Sequence, residues 1–176
     1  MIYLLYGQPG SGKTTLGKLL AEHLQTPFII DGDEFRDMFM NRNYGKKGRE
    51  ENIRNANAVA TYLNKKGARG EWSAIYCRDK NGNSIKGLSL KEDTDVVMCL
   101  VNPYENLRKE LKQNNTIHFE DIWYKEEVVE ILLKSHRDLR KNYHVGDFEK
   151  GDPNYILDTN SKIEETWEEL KRLLRL

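Results

Sequence analysis

The stretch LLYGQPGSGKTTLGKLLAEHL, residues 4–24, joins an apolar run to a glycine-rich loop and then to a segment with the apolar spacing of an amphipathic helix. Residues 7–14 match G-x-x-x-x-G-K-[ST] at every fixed position, between a predicted strand and a predicted helix, which is the context that this motif requires. Glycines allow the backbone N–H groups to wrap around a phosphate, and the following helix adds the positive end of its dipole. The stretch therefore predicts a phosphate loop that binds a nucleoside triphosphate.

Individual residues of this loop have predicted roles. Lys13 can reach the β- and γ-phosphates and take part in catalysis, and the hydroxyl of Thr14 can bind Mg²⁺. ATP is the expected nucleotide, because the sequence has no N-K-x-D motif of the kind that reads guanine. An acidic turn, residues 31–33, follows soon after the loop, and this compact layout favours a small-molecule kinase over a motor ATPase. The residues predicted to bind phosphate are Gly7, Gly10, Ser11, Gly12, Lys13, Thr14 and Thr15.

Short apolar runs alternate with helical patterns along the rest of the chain, which predicts βαβ units. The predicted strands span residues 1–6, 28–30, 95–101, 116–124 and 155–159, and the longer predicted helices span 13–25, 50–66, 105–113, 125–142 and 161–174. We therefore predict an α/β fold of the three-layer P-loop NTPase type, with a parallel sheet and helices on both faces, in a single domain over residues 1–176. In such sheets ligands bind at the carboxyl ends of the strands.

One segment, residues 68–94, departs from this alternation. Gly67 is predicted to end the preceding helix, and two β-prone runs flank Asn81-Gly82, which is a strong hairpin signal. We therefore predict an inserted β-hairpin over residues 68–94. It follows a helix and precedes a strand, so we expect it at the edge of the sheet opposite the chemistry. A two-stranded element is marginal alone, which predicts packing on its own domain or a homodimer contact.

Composition narrows the class of protein. Lys and Arg together number 28 and Asp and Glu 28, so the net charge is near zero, which disfavours a general nucleic-acid binder. No apolar run approaches the roughly 20 residues that a membrane-spanning helix needs, and the N-terminus has no signal-peptide pattern. Two cysteines, Cys77 and Cys99, are too few for a disulfide framework. We expect a cytoplasmic protein with no membrane partner.

Acidic and basic side chains that could serve a second substrate follow the second predicted strand. A hydroxyl acceptor needs a nearby acid to take or orient its proton, and Asp33 at the strand end supplies one. An anionic acceptor needs arginines to bind it. Arg36 lies in a short predicted helix over residues 34–40, and Arg49 lies with Asn52 at the start of the predicted helix over residues 50–66. The alternative interpretation is that these are ordinary surface charges of a highly charged chain.

The stretches GQPGSGKTT, IDGDEFR, GREENIRNANAVA, LVNPYENLRKEL and YILDT, taken in order, resemble the adenylylsulfate kinase family. The resemblance implies transfer of the γ-phosphate of ATP to the 3′-hydroxyl of adenylylsulfate, with Mg²⁺, giving the sulfate donor PAPS. It implies that Asp33 is the catalytic or metal-side acid. The residues that it implies as acceptor contacts are Arg36, Tyr44, Arg49, Asn52, Asn102 and Tyr104, with Asn102 standing where the family usually has the serine of an S-P-Y-R stretch.

The sequence departs from that family in the region of its lid. The family's stretch of Lys followed by F-T-G-I-D is absent, and a loop over residues 140–154 takes its place as a lid-like loop. Tyr143, His144 and Phe148 are the candidates for stacking on the acceptor. Arg137 and Arg140 could close over the phosphates as a lid, which a kinase needs to exclude water from the reaction. The alternative is that they belong to a solvated helix end. The lid candidates are therefore Arg137, Arg140, Tyr143 and His144.

Other functions remain open at this level. A related P-loop kinase could phosphorylate a modified base, a nucleic-acid end or another small metabolite. The basic segment at residues 42–49 could serve a nucleic acid, although the balanced net charge weighs against a polymeric substrate. A third possibility is a nucleotide-binding regulatory module without turnover. The expected partner is a small-molecule substrate, with adenylylsulfate favoured and a homodimer possible.

Overall fold

The computed structural model describes residues 1–75, 95–119, 123–136 and 144–176. A five-stranded sheet forms the centre, built from β1 (Ile2–Tyr6), β2 (Ile29–Asp31), β3 (Val96–Leu100), β6 (Val128–Lys134) and β7 (Tyr155–Asp158). A separate two-stranded ribbon pairs β4 (Thr116–Phe119) with β5 (Trp123–Glu126). The helices are α1 (Lys13–His23), α2 (Gly32–Met38), α3 (Lys46–Ile75), α4 (Glu105–Asn114) and α5 (Ile163–Leu174).

All pairings in the five-stranded sheet are parallel, and the strand order is β2-β3-β1-β6-β7. The central strand β1 pairs with β3 on one side and with β6 on the other, in matching register from Ile2 to Tyr6. Parallel strands need crossover connections, and helices supply most of them here. The fold is therefore the predicted α/β, three-layer P-loop fold.

Two hydrophobic cores lie on opposite faces of the sheet, because successive side chains of a strand point to opposite faces. On β1, Leu4 and Tyr6 belong to one core and Leu5 to the other. The first core is closed by residues of α3 and α4, including Ala56, Ala60 and Leu111. The second is closed by residues of α1 and α5, including Leu16, Leu20, Ala21 and Leu170. This arrangement gives the three layers.

The predicted helix over residues 125–142 is wrong where the structure describes it, and residues 137–142 lie outside the described residues. Residues 128–134 form β6, which lies between β1 and β7 and contributes buried Val128, Ile131, Leu132 and Leu133. Charged residues on either side of this run suggested an exposed helix, but a strand buried on both faces reads as a short continuous apolar run. The predicted strand over 116–124 is likewise divided between β4 and β5, which are antiparallel.

The predicted end of the helix over residues 50–66 is also wrong. Helix α3 does not end at Gly67 but continues to Ile75, so residues 68–75 are helical and do not begin a hairpin. A glycine inside a helix costs only about 1 kcal/mol relative to alanine, which a long helix can absorb. The rest of the predicted hairpin, residues 76–94, lies outside the described residues. Across the described ranges, every helix is too short or too polar to cross a bilayer.

Replacing Gly17 with alanine tests the packing of α1 on the sheet. A Cβ at this position would overlap the Sγ atom of Cys99 on β3. Alanine favours a helix by about 1 kcal/mol over glycine, whereas overpacking a core costs about 1–3 kcal/mol, so we expect Gly17→Ala to lower the free energy of unfolding. In a Cys99→Ala background the clash is gone, and the same change should become neutral or stabilising. Urea unfolding of the unmodified protein, the two single variants and the double variant measures both effects, and an equal loss in both backgrounds would contradict this packing.

Candidate active site

The phosphate loop leaves the carboxyl end of β1 and enters α1. Gly10 and Gly12 have φ angles of 83° and 86°, in the left-handed region that glycine adopts without strain. Gly7 is required for a different reason, because a Cβ there would lie 2.5 Å from the carbonyl oxygen of Leu133 on β6. These glycines let the loop turn sharply and pass close to the sheet, which is the shape that allows backbone N–H groups to face a phosphate.

Lys13 is largely buried, at 8% exposed, and its ammonium group lies over the loop. The Nζ atom donates to the carbonyl oxygen of Gln8 at 2.7 Å and to Ser11 Oγ at 3.3 Å. The positive charge is therefore held where phosphate oxygens would bind. Thr15, by contrast, is exposed and lines a neighbouring cavity.

A carboxylate lies against the Thr14 hydroxyl. Thr14 Oγ1 donates to Asp31 Oδ2 at 2.6 Å, and Asp31 is 9% exposed at the end of β2. The other oxygen, Asp31 Oδ1, accepts from the backbone N–H of Asp33 at 2.9 Å and caps the N-terminus of α2. A hydroxyl and a carboxylate side by side fit the oxygen ligands that Mg²⁺ prefers, so Thr14 and Asp31 are the residues that could hold the ion beside the phosphates.

Asp31 is a functional candidate that the sequence reasoning missed. The signal was present, since residues 31–33 form an acidic pair at a strand end, but the second acid was chosen for both the metal and the catalytic role. In the structure Asp33 is exposed at the first turn of α2, beside Asp31 but not hydrogen-bonded to Thr14 through its side chain in the bonds described. The assignment of Asp33 to catalysis and to Mg²⁺ stays a prediction.

On the acceptor side, Arg36 stacks on Tyr44, with its guanidinium carbon 4.7 Å from the ring centroid. Its Nη1 donates to the carbonyl oxygen of Asn43 at 3.0 Å. Burial lowers the pKa of Arg36, while Tyr44 and the Asp33 carboxylate oppose that effect, and the positive charge of Arg49 adds to it. The structure thus brings Asp33, Arg36, Tyr44 and Arg49 into one charged neighbourhood.

Arg49 joins three further groups. Its Nε donates to Tyr104 Oη at 3.2 Å, its Nη1 to the carbonyl oxygen of Tyr44 at 3.1 Å, and its Nη2 to Asp147 Oδ1 at 3.3 Å. The hydroxyl of Tyr104 donates in turn to Asp147 Oδ2 at 3.1 Å. Two predicted acceptor residues, Arg49 and Tyr104, are therefore in direct contact, and a carboxylate that the sequence did not indicate completes the group.

The two predicted asparagines are buried beside this group. Asn52 donates from Nδ2 to the carbonyl oxygen of Gly32 at 3.1 Å, which ties α3 to α2. Asn52 Oδ1 and both side-chain polar atoms of Asn102 are buried without a hydrogen-bond partner among the described residues. Buried polar atoms normally find partners, so these amides are suited to contacting a ligand.

Three of the four predicted lid residues fall outside the part of the chain that the structure describes. Arg137, Arg140 and Tyr143 lie outside the described residues. His144 is exposed, and the loop that it begins is held to the phosphate loop, because the Gln8 side chain bonds both the N–H and the carbonyl of Val145. Phe148 is not free to stack on an acceptor: its ring lies on Tyr6 with centroids 6.2 Å apart and packs against the core.

A cavity of about 210 Å³ opens between the phosphate loop and the start of α5. It is lined on one side by loop and α1 residues and on the other by residues that follow β7, among them Thr159, Ser161 and Thr166. Its position beside the loop suits the nucleoside part of a nucleotide. The sequence analysis did not assign these residues, although the strand end at Thr159 was a usable signal.

Comparisons with known proteins identify the family and the fold of this chain. Residues 6–127 match the family model described as an AAA domain. A cytidylate kinase from Methanococcoides burtonii is 50% identical over 42 residues, which are 24% of this chain and 24% of that enzyme, so the chain spans about a quarter of the length of this curated relative.

Many solved structures match over nearly the whole chain, and two of them illustrate the range of relatives. The adenylylsulfate (APS) kinase of Mycobacterium tuberculosis in complex with AMPPNP and APS is 17% identical, with a TM-score of 0.66 over 99% of this chain and 97% of that one. The shikimate kinase of Bacteroides thetaiotaomicron is 16% identical, with a TM-score of 0.55 over 100% and 99% of the two chains. At such identities the likeness shows the fold, which is that of P-loop kinases.

The contact between Thr14 and Asp31 predicts that the negative charge of Asp31 is needed for binding of nucleotide together with Mg²⁺. Asparagine caps a helix as well as aspartate does, so Asp31→Asn should keep the fold while removing the charge. Loss of a group that orients or binds a metal typically costs about 10–100-fold in metal affinity. We expect a comparable loss of ATP affinity in the presence of Mg²⁺ and little change in a chelator, measured by calorimetry.

Asp37→Asn is the matched control for this measurement. Asp37 lies on α2, and its ion pair with Arg42 is exposed. Asp37→Asn should therefore leave the affinity for ATP unchanged, both with Mg²⁺ and in a chelator. An equal loss of affinity for Asp31→Asn with and without Mg²⁺ would argue against a metal role for this carboxylate.

Proposed function

This chain belongs to the AAA domain family, and we propose that it is a P-loop kinase that transfers the γ-phosphate of ATP to a hydroxyl group, with adenylylsulfate as the favoured acceptor and PAPS as the product. One observation carries the proposal. The phosphate loop, the Thr14–Asp31 pair and the acidic and basic side chains around Asp33, Arg36 and Arg49 all lie at the carboxyl edge of one parallel sheet. A phosphate donor and an anionic acceptor can therefore bind side by side.

The donor half of the site follows from the phosphate loop. Lys13 would exchange its bonds within the loop for oxygens of the β- and γ-phosphates, and the backbone N–H groups at the start of α1 would bind the remaining phosphate oxygens. Bound Mg²⁺ supplies positive charge that neutralises the phosphate being transferred. Thr14 and Asp31 could hold the ion. Asp33 could assist through Asp31, because the backbone N–H of Asp33 donates to the Asp31 carboxylate.

Asp33 is the proposed acid–base residue. Its backbone N–H is fixed by Asp31, and its own carboxylate is exposed at the start of α2, so it is accessible to an acceptor hydroxyl. A carboxylate in that place can orient the hydroxyl and take its proton as the phosphate is transferred.

Charges and rings on the acceptor side suit a nucleotide-like anion. Arginine binds sulfate or phosphate oxygens through paired N–H groups, and Arg36 and Arg49 are the arginines of this site. Tyr44 is 66% exposed and already supports Arg36 on its ring, so it offers an aromatic surface on which a base could stack. Buried amide atoms of Asn52 and Asn102 can read polar edges of such a ligand. These features support adenylylsulfate over an uncharged acceptor.

A second acceptor class is favoured by a different observation. Met38, Phe39 and Met40 are exposed beside Arg36, at 67%, 44% and 84%, and the basic segment over residues 42–49 follows them. An exposed aromatic ring next to lysines and arginines, here that of Phe39, is typical of surfaces that bind single-stranded nucleic acid. A kinase acting on a nucleic-acid end or a modified base is therefore the alternative.

The first test is release of ADP from Mg-ATP in the presence of adenylylsulfate, AMP, a hydroxyl-bearing oligonucleotide or no acceptor. We expect turnover with adenylylsulfate and a loss of about 10²–10⁴-fold in kcat for Asp33→Asn, because general acid–base groups contribute that much. Asp37→Asn, on the exposed side of the same helix, should retain full activity.

Each other outcome has a defined meaning. Turnover with the oligonucleotide, weakened by added salt, would select the nucleic-acid alternative. Binding of ATP without turnover on any of these acceptors, with ATP affinity unchanged in Asp33→Asn, would point to a different small-metabolite acceptor or to a nucleotide-binding module without turnover.

A further inference from the structure

We propose that Asp147 is a positioning residue for the acceptor and acts through Arg49 and Tyr104. The inference rests on the proposed function, because that proposal assigns Arg49 and Tyr104 to the acceptor. It goes further by naming a residue outside every sequence motif and by giving it a defined task, which is to set the orientation of the acceptor arginine relative to the phosphate loop.

The three side chains form a closed ring of hydrogen bonds. Arg49 Nε donates to Tyr104 Oη at 3.2 Å, Tyr104 Oη donates to Asp147 Oδ2 at 3.1 Å, and Arg49 Nη2 donates to Asp147 Oδ1 at 3.3 Å. A tyrosine hydroxyl has one proton. Because Tyr104 donates that proton to Asp147, the Tyr104 oxygen is left to accept the hydrogen bond from Arg49. Burial raises the pKa of Tyr104, which keeps this proton in place at neutral pH. Both carboxylate oxygens are engaged, and the plane of the guanidinium is set.

The ring leaves part of Arg49 available for a ligand. A guanidinium carries five N–H groups. The bonds to Tyr104, to Asp147 and to the carbonyl of Tyr44 take one each from Nε, Nη2 and Nη1. One N–H on each of Nη1 and Nη2 is left by these bonds, and the side chain is 23% exposed. Arg49 can therefore donate two parallel hydrogen bonds to an anionic group while Asp147 continues to hold it.

The loop that carries Asp147 is held by hydrogen bonds on both sides of this residue. On one side the Gln8 side chain bonds both polar groups of the Val145 backbone, at 2.9 Å and 3.0 Å, which attaches the loop to the phosphate loop. On the other side the N–H of Glu149 donates to the carbonyl of Pro103 at 2.8 Å, and its carboxylate accepts from the N–H of Glu105 at 2.7 Å. Asp147 lies between these anchors. It therefore sets Arg49 in a frame that is shared with the phosphate donor.

This arrangement separates a positioning role from a structural one. An ion pair as exposed as Arg49–Asp147, with the aspartate side chain 44% exposed, contributes little to stability. The loop keeps its anchors at Val145 and Glu149 without it. What is lost on removing the charge is the orientation of Arg49, and a small misplacement of a substrate-positioning group can cost as much as about 10²-fold in rate.

Steady-state kinetics of Asp147→Asn test the proposal. We expect KM for adenylylsulfate to rise about 10-fold or more, with KM for ATP and the melting temperature unchanged, because only the acceptor arginine is disturbed. Asp147→Glu, which retains the charge, should recover part of the affinity. Asp152→Asn, a change of the same type in an exposed residue of the same loop, is the matched control and should have no effect.

A double-mutant comparison adds a readout that a merely structural role would not move. If Asp147 acts through the ring, Asp147→Asn should cost much less in a Tyr104→Phe background, where the ring is already open. Additive effects, or an unchanged KM for adenylylsulfate in Asp147→Asn, would overturn the proposal. So would a parallel rise in KM for ATP with a lower melting temperature, because that pattern indicates a disturbed loop.

A measurement on the free protein separates this proposal from the choice of acceptor. The Arg49 Nε–H signal in a proton–nitrogen NMR spectrum, assigned by its absence in Arg49→Lys, reports the bond to Tyr104 without any substrate. We expect slow exchange of this proton in the unmodified chain and in Asp152→Asn, and fast exchange in Asp147→Asn. No turnover with adenylylsulfate would refute the proposed acceptor alone, whereas an Nε–H signal unaffected by Asp147→Asn would refute the positioning role alone.

Discussion

Parallel pairing of β1 with β3 on one side and β6 on the other is the constraint on which the rest of the structure depends. It brings the carboxyl ends of the strands to one edge, so the phosphate loop after β1, Asp31 at the end of β2 and Tyr104 beyond β3 lie along that edge. The close approach of Gly7 to the Leu133 carbonyl follows from the same pairing. A side chain at Gly7 would force the loop away from β6 and disturb the phosphate site.

Beneath that edge, a buried arginine joins the sheet to the loop that precedes β7. Arg108 is 1% exposed, lies 4.4 Å above the Tyr6 ring and donates to the carbonyl oxygens of Asn102 and Glu149. The carboxylate of Glu130 on β6 carries the opposite charge and lies 3.9 Å from Arg108 Nε. Tyr6 is bonded to the carbonyl of Lys150, and burial raises its pKa to about 12. These contacts give the loop carrying Asp147 a rigid base.

Predictions from the sequence succeeded where the signal was local and failed where burial decided the outcome. The sequence predicted the phosphate loop, α1 and β3 correctly, because residues adjacent in the sequence determine each of them. Strand β6 was misread as a helix, since its apolar core of Ile131, Leu132 and Leu133 is flanked by charges that are characteristic of exposed helices. Helix α3 passes through Gly67 because a glycine only weakens a helix unless the chain turns there.

By itself, the sequence determined that this chain has a phosphate loop, an α/β fold and a set of acceptor candidates around Asp33, Arg36 and Arg49. Only the tertiary structure decided that Asp31 is the partner of Thr14 and that Asp147, 98 residues after Arg49, closes a ring with Tyr104. The physical reason is range. A loop of consecutive residues is dictated by local backbone preferences, whereas a contact between distant segments exists only after the sheet and its two cores have formed.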